Sequence, residues 1–465
     1  MTESTLATEL DEVPHGDASG FGGHPKGLGP LFFTELWERF SYYGMRSILV
    51  LYMVAPVAGG GLAFDTKHAA SIYGTYTMSV YLTALPGGLI ADHILGARLA
   101  VLFGGIIIAC GHFTMIFHGM NTFYLGMVLI AIGTGLLKPN ISAMVGGLYK
   151  ENDPRRDSGF SIFYMGINLG AVLAPLAVGY LAQGKSFQRF MAARGFDPTT
   201  SWHWGFGLAG IGMTVGLVVF LLYGKRLAHV GNRVKKVKDS TTKVAPAQKL
   251  TAADWKRVAA IFVFFLFTIL FWAAYEQKGA SLNLFAKDLV RTEVFGMAFP
   301  SSYLQSLTPL FVIFLAPIFS MLWVRLRERQ PSSPVKFTFG LLFIGMAYVL
   351  MIPASYLTAY GRVSPLWLVG LYFLEVVGEM CLSPVGLSTV TKLSPLKLVG
   401  IMMGVWFLAS SFGSKLAGYL SGFFVSNNPA VLMKLYGGIA VGLLISAGIL
   451  AVLTPSIKKL MGTVK

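Results

Sequence analysis

The chain has 465 residues, 54% of them hydrophobic and 12% charged, where a soluble globular domain carries roughly 25% charged residues. With mean hydropathy +0.64, lipid rather than water surrounds much of it, which excludes an ordinary soluble enzyme. A transmembrane β-barrel is excluded too, because its alternating segments of about 10 residues do not recur. A net charge of +16 would suit a nucleic-acid binder, but few aromatics are interleaved with the basic residues, and no nucleic acid is expected as a partner.

The first 27 residues are polar and slightly acidic and lack a basic-then-apolar signal pattern. Residues 1–30 read as a cytoplasmic tail. A bilayer core needs about 20 apolar residues per helix, and twelve such segments follow. They are Leu31–Ala55, Ala69–Ala91, Leu99–His118, Thr122–Leu148, Gly159–Ala182 and Trp204–Tyr223, then Val258–Tyr275, Tyr303–Val324, Val335–Tyr356, Leu366–Thr391, Val399–Val425 and Val431–Leu453. This predicts an all-α integral membrane protein of twelve transmembrane helices in two six-helix bundles, 31–223 and 258–454. Between them, residues 224–257 form a basic cytoplasmic linker that includes Arg233, Lys235, Lys236, Lys238, Lys243 and Lys249. Residues 455–465 form a cytoplasmic tail.

Orientation follows from the basic residues, which favour the cytoplasmic side. With the N-terminus inside, the inner tails and connections hold 24 Lys and Arg and the outer ones 9, Lys278 among the latter. Both termini are then cytoplasmic. Abundant Gly permits close helix contact. Pro86, Pro139, Pro175, Pro309, Pro317 and Pro384 predict kinks. Cys110 and Cys381 lie inside apolar segments and read as buried small hydrophobes, and no His/Cys spacing suggests a metal.

Ionisable residues inside spans cost at least about 2.5–3.5 kcal/mol each on insertion scales, so they face a wet path or a partner. The first segment carries Glu35, Glu38, Arg39, Tyr42, Tyr43 and Arg46. Helical spacing puts Glu35, Glu38/Arg39, Tyr42 and Arg46 on one stripe. The fourth carries Lys138, the seventh ends with Glu276, and the tenth carries Glu375 and Glu379 on one face. In this topology Arg46 and Glu276 share the outer half, and Lys138 and Glu379 lie centrally or slightly inward. Two exchangeable ion pairs, Arg46–Glu276 and Lys138–Glu379, are predicted to gate the two sides. Static pairs that fix the bundle are the alternative. Lys415 either pairs locally or reaches for the membrane surface.

Glu35-Leu-Trp-Glu38-Arg39-Phe40 resembles the E-x-x-E-R-F motif of the proton-dependent oligopeptide transporter (POT/PTR2) family, within the major facilitator superfamily. Gly87-Gly88-Leu-Ile-Ala-Asp92-His-Ile-Leu-Gly96 is similar to its first signature, which ends in the loop motif holding Asp92. Phe160-Ser-Ile-Phe-Tyr164-Met-Gly-Ile-Asn168 is similar to its second. Phe271-Trp272-Ala-Ala-Tyr-Glu276 and Gly378-Glu379-Met-Cys-Leu-Ser383-Pro resemble two later motifs. The resemblance covers residues 31 to about 420. It implies a bacterial inner-membrane, multi-pass symporter that imports di- and tripeptides with protons by alternating access, acting as a monomer without a cofactor.

The resemblance also implies roles. Arg39 and Lys138 hold the peptide carboxylate, and Glu379 takes its amino terminus with Asn168 nearby. Tyr42, Tyr43, Tyr81, Trp272, Ser383 and Trp406 line the cavity. Glu35, Glu38, Arg39 and Glu276 couple protons, and Arg46–Glu276 and Lys138–Glu379 gate. Thr308 stands where the family often has Asn and can accept from an amine. Gly74 stands where animal members carry His, so coupling rests on carboxylates. The scaffold also serves nitrate in plants, but the intact Glu-x-x-Glu-Arg set favours peptides. A drug exporter, a channel and a membrane enzyme lack supporting motifs.

Overall fold

The structure is a computed structural model that describes residues 17–150, 153–232, 250–294, 296–395 and 398–462. Most of the expected basic linker, with its Arg233 to Lys249 cluster, lies outside the described residues. So do residues 1–16 and 463–465 of the expected tails.

The helices are α1 Leu28–Val54, α2 Thr66–Leu82, α3 Ala84–Ile90, α4 Ala97–Thr114, α5 Met120–Gly147, α6 Arg156–Gln183, α7 Lys185–Ala193 and α8 Ser201–Leu222. They continue as α9 Ala252–Tyr275, α10 Ser281–Leu289, α11 Leu307–Leu326, α12 Ser333–Leu357, α13 Leu366–Leu393, α14 Val399–Ser421 and α15 Pro429–Met461. Among the described residues, ten helical stretches are long and apolar enough to cross a membrane. The 27-residue α1 is not among them because of its four charges, Glu35, Glu38, Arg39 and Arg46. The 23-residue α14 packs beside α2 and α9.

Polar caps explain why several helices begin before their apolar runs. Asp65 accepts from His68 N at 2.9 Å and starts α2. Thr251 and Asp254 form a reciprocal capping box at α9, six residues upstream of the first expected apolar residue. Two short amphipathic helices, α7 and α10, fall in the connections and escape a search for long apolar runs. A two-residue hairpin pairs Glu293–Val294 with Met297–Ala298. At the far end α15 runs to Met461, so most of the expected C-terminal tail is helix. Leu28 likewise begins α1 inside the expected N-terminal tail.

Pro139, Pro175, Pro317 and Pro384 stand inside helices. Pro86 and Pro309 instead fall in the first turns of α3 and α11, where the missing N–H is not needed. The expected kinks at those two positions are helix starts. Cys381 is buried as expected, whereas Cys110 is on the exposed face of α4. A free cysteine on a lipid-facing stripe needs no burial in protein.

Packing sorts the helices into two sets. In one, α1 lies against α6 and α8, and α4 against α5 and α8. In the other, α12 packs on α13 and α15, and α9 on α14 and α15. Small residues bring the backbones together. A methyl on Gly104 of α4 would lie 2.7 Å from the Gly133 carbonyl of α5. The two sets meet chiefly where α2 packs on α14 and α6 on α11.

Candidate functional site

A cavity of about 340 Å³ lies between the two sets, within the range of small-ligand sites. Its polar wall includes Glu35, Arg39 and Arg46 from α1, Lys138 from α5, Asn168 from α6, Thr308 from α11, and Glu379 and Ser383 from α13. Glu276 and Lys278, from the 3₁₀ turn after α9, complete it. Tyr43, Tyr81, Trp272 and Trp406 supply aromatic surface. The structure thus brings together thirteen of the candidate site residues singled out from the sequence.

On α1, Glu38 and Arg39 form a forked pair. The guanidinium Nε donates to Glu38 Oε2, and Nη2 donates to Oε1 at 2.6 Å. Glu35 Oε1 stands 3.4 Å from the same Nε, while its Oε2 is buried without a hydrogen-bond partner. Two carboxylates therefore share one cation. Glu38 lies behind Arg39 and does not line the cavity. It acts through the arginine.

Tyr42 departs from expectation. It is buried away from the cavity, because it stands one residue round the helix from Tyr43. Its ring lies 5.0 Å from the Arg39 guanidinium and 5.9 Å from that of Arg46. It braces two cations and has no free face for a ligand. Asp92 is also remote, exposed on a π-helical turn over Ala91–Leu95. Gly96 ends that turn with φ +79°, a conformation that favours glycine.

One expected ion pair is made and the other is not. Arg46 Nη2 bonds Glu276 Oε2, with both side chains almost fully buried. Arg46 Nε also donates to the Tyr73 hydroxyl at 2.5 Å. Lys138 and Glu379 are apart. Lys138 Nζ instead sits 4.6 Å from the Tyr81 ring centroid, and Glu379 accepts from the Tyr275 hydroxyl.

Further bonds join the two sets on the Arg46 side. Asn283 and Gln305 donate to the Ser47 carbonyl at 2.8 and 3.1 Å. Lys415 Nζ donates to Thr75 Oγ1 at 2.7 Å, so this lysine pairs across the α14–α2 contact rather than reaching for the surface. At that contact a methyl on Gly74 would fall 2.8 Å from Gly418 Cα. Gly74→Leu should therefore hold α2 off α14. Labelling of a reporter cysteine introduced at Ser411, which is buried at that contact against the Met78 carbonyl, should rise about tenfold or more, as expected when at least ~1.4 kcal/mol of overpacking disfavours the closed contact. Unchanged labelling would show that the seal does not depend on this approach.

Several wall residues escaped the sequence reading. Tyr275 and Lys278 are the main ones, with Tyr164, Gln305, Phe407 and Ser410. Lys278, expected among the outer basic residues, is buried in the cavity wall. In a 3₁₀ turn residues three apart eclipse, so its Nζ lies 3.3 Å from the Tyr275 ring centroid. The signal available was Lys278 two positions after a motif glutamate. Among the residues expected to meet a ligand, Thr308 Oγ1 and Ser383 Oγ are buried without hydrogen-bond partners.

A charged, aromatic chamber enclosed between two sets of apolar helices defines a multi-pass membrane carrier. Comparison with known proteins gives its kin. Residues 98–248 and 231–437 match the POT family. An uncharacterized transporter, YclF, of Bacillus subtilis is 39% identical over 95% of this chain and 96% of its own. The peptide transporter YePEPT of Yersinia enterocolitica is 38% identical over 95% and 96%. A di-/tripeptide transporter of Lactococcus lactis is 36% identical over 96% and 98%. A crystal structure of a POT peptide transporter variant in complex with alafosfalin superposes with TM-score 0.86 at 38% identity, covering 99% of each chain. The chain belongs to the POT family, a family of membrane transporters rather than enzymes.

Proposed function

We propose that this protein is a proton-coupled symporter that imports di- and tripeptides by alternating access. One observation carries the reading: the Glu35/Glu38–Arg39 unit, Lys138 and Glu379 all serve one cavity. A short peptide is a zwitterion. Arg39 and Lys138 suit its carboxylate, and Glu379 suits its ammonium group. Thr308, Ser383 and Asn168 can hydrogen-bond the amide backbone. The aromatic wall accepts varied side chains without demanding one. The names of the Yersinia and Lactococcus relatives support the same cargo.

Twelve spans with both termini cytoplasmic complete the reading, and one chain encloses the whole site, so a monomer suffices. Arg46–Glu276 is then the outer gate, closed here, and Lys138–Glu379 the inner gate, parted here. This is the inward-facing state of two bundles that rock about a central site. In the outward-facing state a proton and a peptide enter. The peptide carboxylate draws Arg39 from Glu38 and Lys138 from Glu379, and Glu379 is released to the amino terminus. The proton is the coupling ion.

Purified protein in liposomes, with the outside more acidic, should accumulate dialanine above its external concentration. Failure to accumulate by protein that still binds dialanine would exclude the importer. Nitrate, the other cargo known on this scaffold, would leave Glu379 without a partner, and it should not compete with dialanine for uptake.

A further inference from the structure

The mechanism above leaves one buried acid unused. Glu375 lies on α13, one helical turn before Glu379, and is fully buried. Among the described residues neither of its carboxylate oxygens has a partner with good hydrogen-bond geometry, and the Tyr348 hydroxyl makes at most a long contact with it. The groups around it come from several elements. Tyr372 and Glu379 share its helix. The end of α9 and its 3₁₀ turn bring Tyr275, Glu276 and Lys278. Tyr348 comes from α12, and Tyr436 of α15 lies beside Tyr348 and Tyr372. On the α11 side Val312 packs on Val376 and Met380, which is apolar. From α14, Trp406 and Ser410 reach only the cavity wall.

Of the hydroxyls near it, only that of Tyr372 is without an acceptor of its own among the described residues, and it does not reach Glu375 in hydrogen-bond geometry. Tyr348 gives its proton to the Ala274 carbonyl at 2.8 Å, and Tyr436 gives its proton to the Ser281 carbonyl at 3.3 Å. Both offer an acceptor rather than a donor. No cation lies within ion-pair distance, although Lys278 is held nearby on the Tyr275 ring. A bare carboxylate cannot persist in such a place, whereas a carboxylic acid can. Position matters as well. Glu375 stands one helical turn from the cavity residue Glu379, nearer the start of α13.

We propose that Glu375 is a second proton-binding site, in the second helix set, separate from the Glu35/Glu38 site. This rests on the symport reading above. With the outer seal open, water reaches Glu375 and Lys278 balances its ionised form. It then takes a proton from the outer solution. Closing the seal buries the acid in its neutral form. When peptide departs inward and Glu379 is an ionised neighbour, the Glu375 O–H bond breaks and the proton passes to the Glu379 carboxylate. From there it passes to cavity water, while Lys278 leaves the Tyr275 ring to pair with the Glu375 carboxylate, which is therefore never bare.

Two measurements test this. The proton-to-peptide ratio, from the reversal potential of dialanine flux in liposomes, should fall by one in Glu375→Gln and stay at the wild-type value in Glu375→Asp. Dialanine counterflow should remain in both and reports intact folding. Infrared spectra of the unmodified protein should show the C=O stretch of a carboxylic acid in apolar surroundings, lost in Glu375→Gln. An unchanged ratio, or an infrared band that survives the substitution, overturns the proposal. A wild-type flux with no reversal potential that depends on protons would sink the symport reading instead, and the infrared result would still judge Glu375.

Discussion

Arg46→Gln should abolish most uptake by stranding Glu276. The pair is almost fully buried, and the arginine is further held by Tyr73. Breaking such a pair by removing one partner costs about 3–5 kcal/mol, because the remaining charge has lost its compensation. That loss falls on the closed outer gate alone, since the pair parts when the gate opens. At about 1.4 kcal/mol per tenfold, the inward-facing population should drop by a factor of about 100 to several thousand. Initial rates of labelled dialanine uptake should drop with it. The paired variant Arg46→Gln with Glu276→Gln removes both charges and should recover a large part of the loss when read as dialanine counterflow, which moves no net proton. Equal loss in the single and double variants would show that the two residues act independently and that their contact is not a gate.

Glu38→Gln should uncouple the carrier without destroying it. Glutamine keeps the shape of the side chain but can neither bind the Arg39 fork with two anionic oxygens nor carry a proton. A pH difference of one unit is worth about 1.4 kcal/mol, and 100 mV adds about 2.3 kcal/mol per charge. Together they support accumulation of several hundredfold for one proton per neutral peptide. In the variant accumulation should fall by that factor, leaving only what the proton proposed for Glu375 supports. Exchange of dialanine for dialanine moves no net proton and should persist within about tenfold, a barrier change of about 1.4 kcal/mol. Accumulation by Glu38→Gln equal to the wild type, checked with a protonophore control, would remove Glu38 from the coupling.

Much of this site is legible in the chain because charge inside an apolar segment is so conspicuous. Glu35, Arg39, Lys138 and Glu379 stand out against lipid-facing sequence, and spacing along α1 places the first two on one face. What escaped detection has specific causes. Lys278 sits just past the end of an apolar run, where a lysine ordinarily reaches the membrane surface. Only the 3₁₀ turn, which spacing does not announce, folds it back over Tyr275. Tyr42 looked like its neighbour Tyr43, and one residue of helical rotation separates a cavity wall from a brace between two arginines. The parted Lys138–Glu379 pair reflects a conformation, and a sequence is shared by every state of the cycle. The caps at Asp65 and Thr251 were hidden because hydropathy registers the apolar run and ignores the polar turn that starts it.

The fold follows from a different part of the chain. Gly104 against Gly133, and Gly74 against Gly418, let backbones approach where lipid supplies no hydrophobic drive between helices. The first contact tightens one helix set, and the second closes one set upon the other. Both kinds of contact are needed in a carrier, one lasting through the cycle and one made and broken within it.

The whole account depends on a proton entering with each cargo molecule. Liposomes with a pH-sensitive dye inside, the same pH on both sides and the membrane potential held negative inside, give the plainest reading. Adding dialanine outside should acidify the interior, and Glu38→Gln should reduce that acidification. Entry of labelled dialanine with no change in the dye would contradict it.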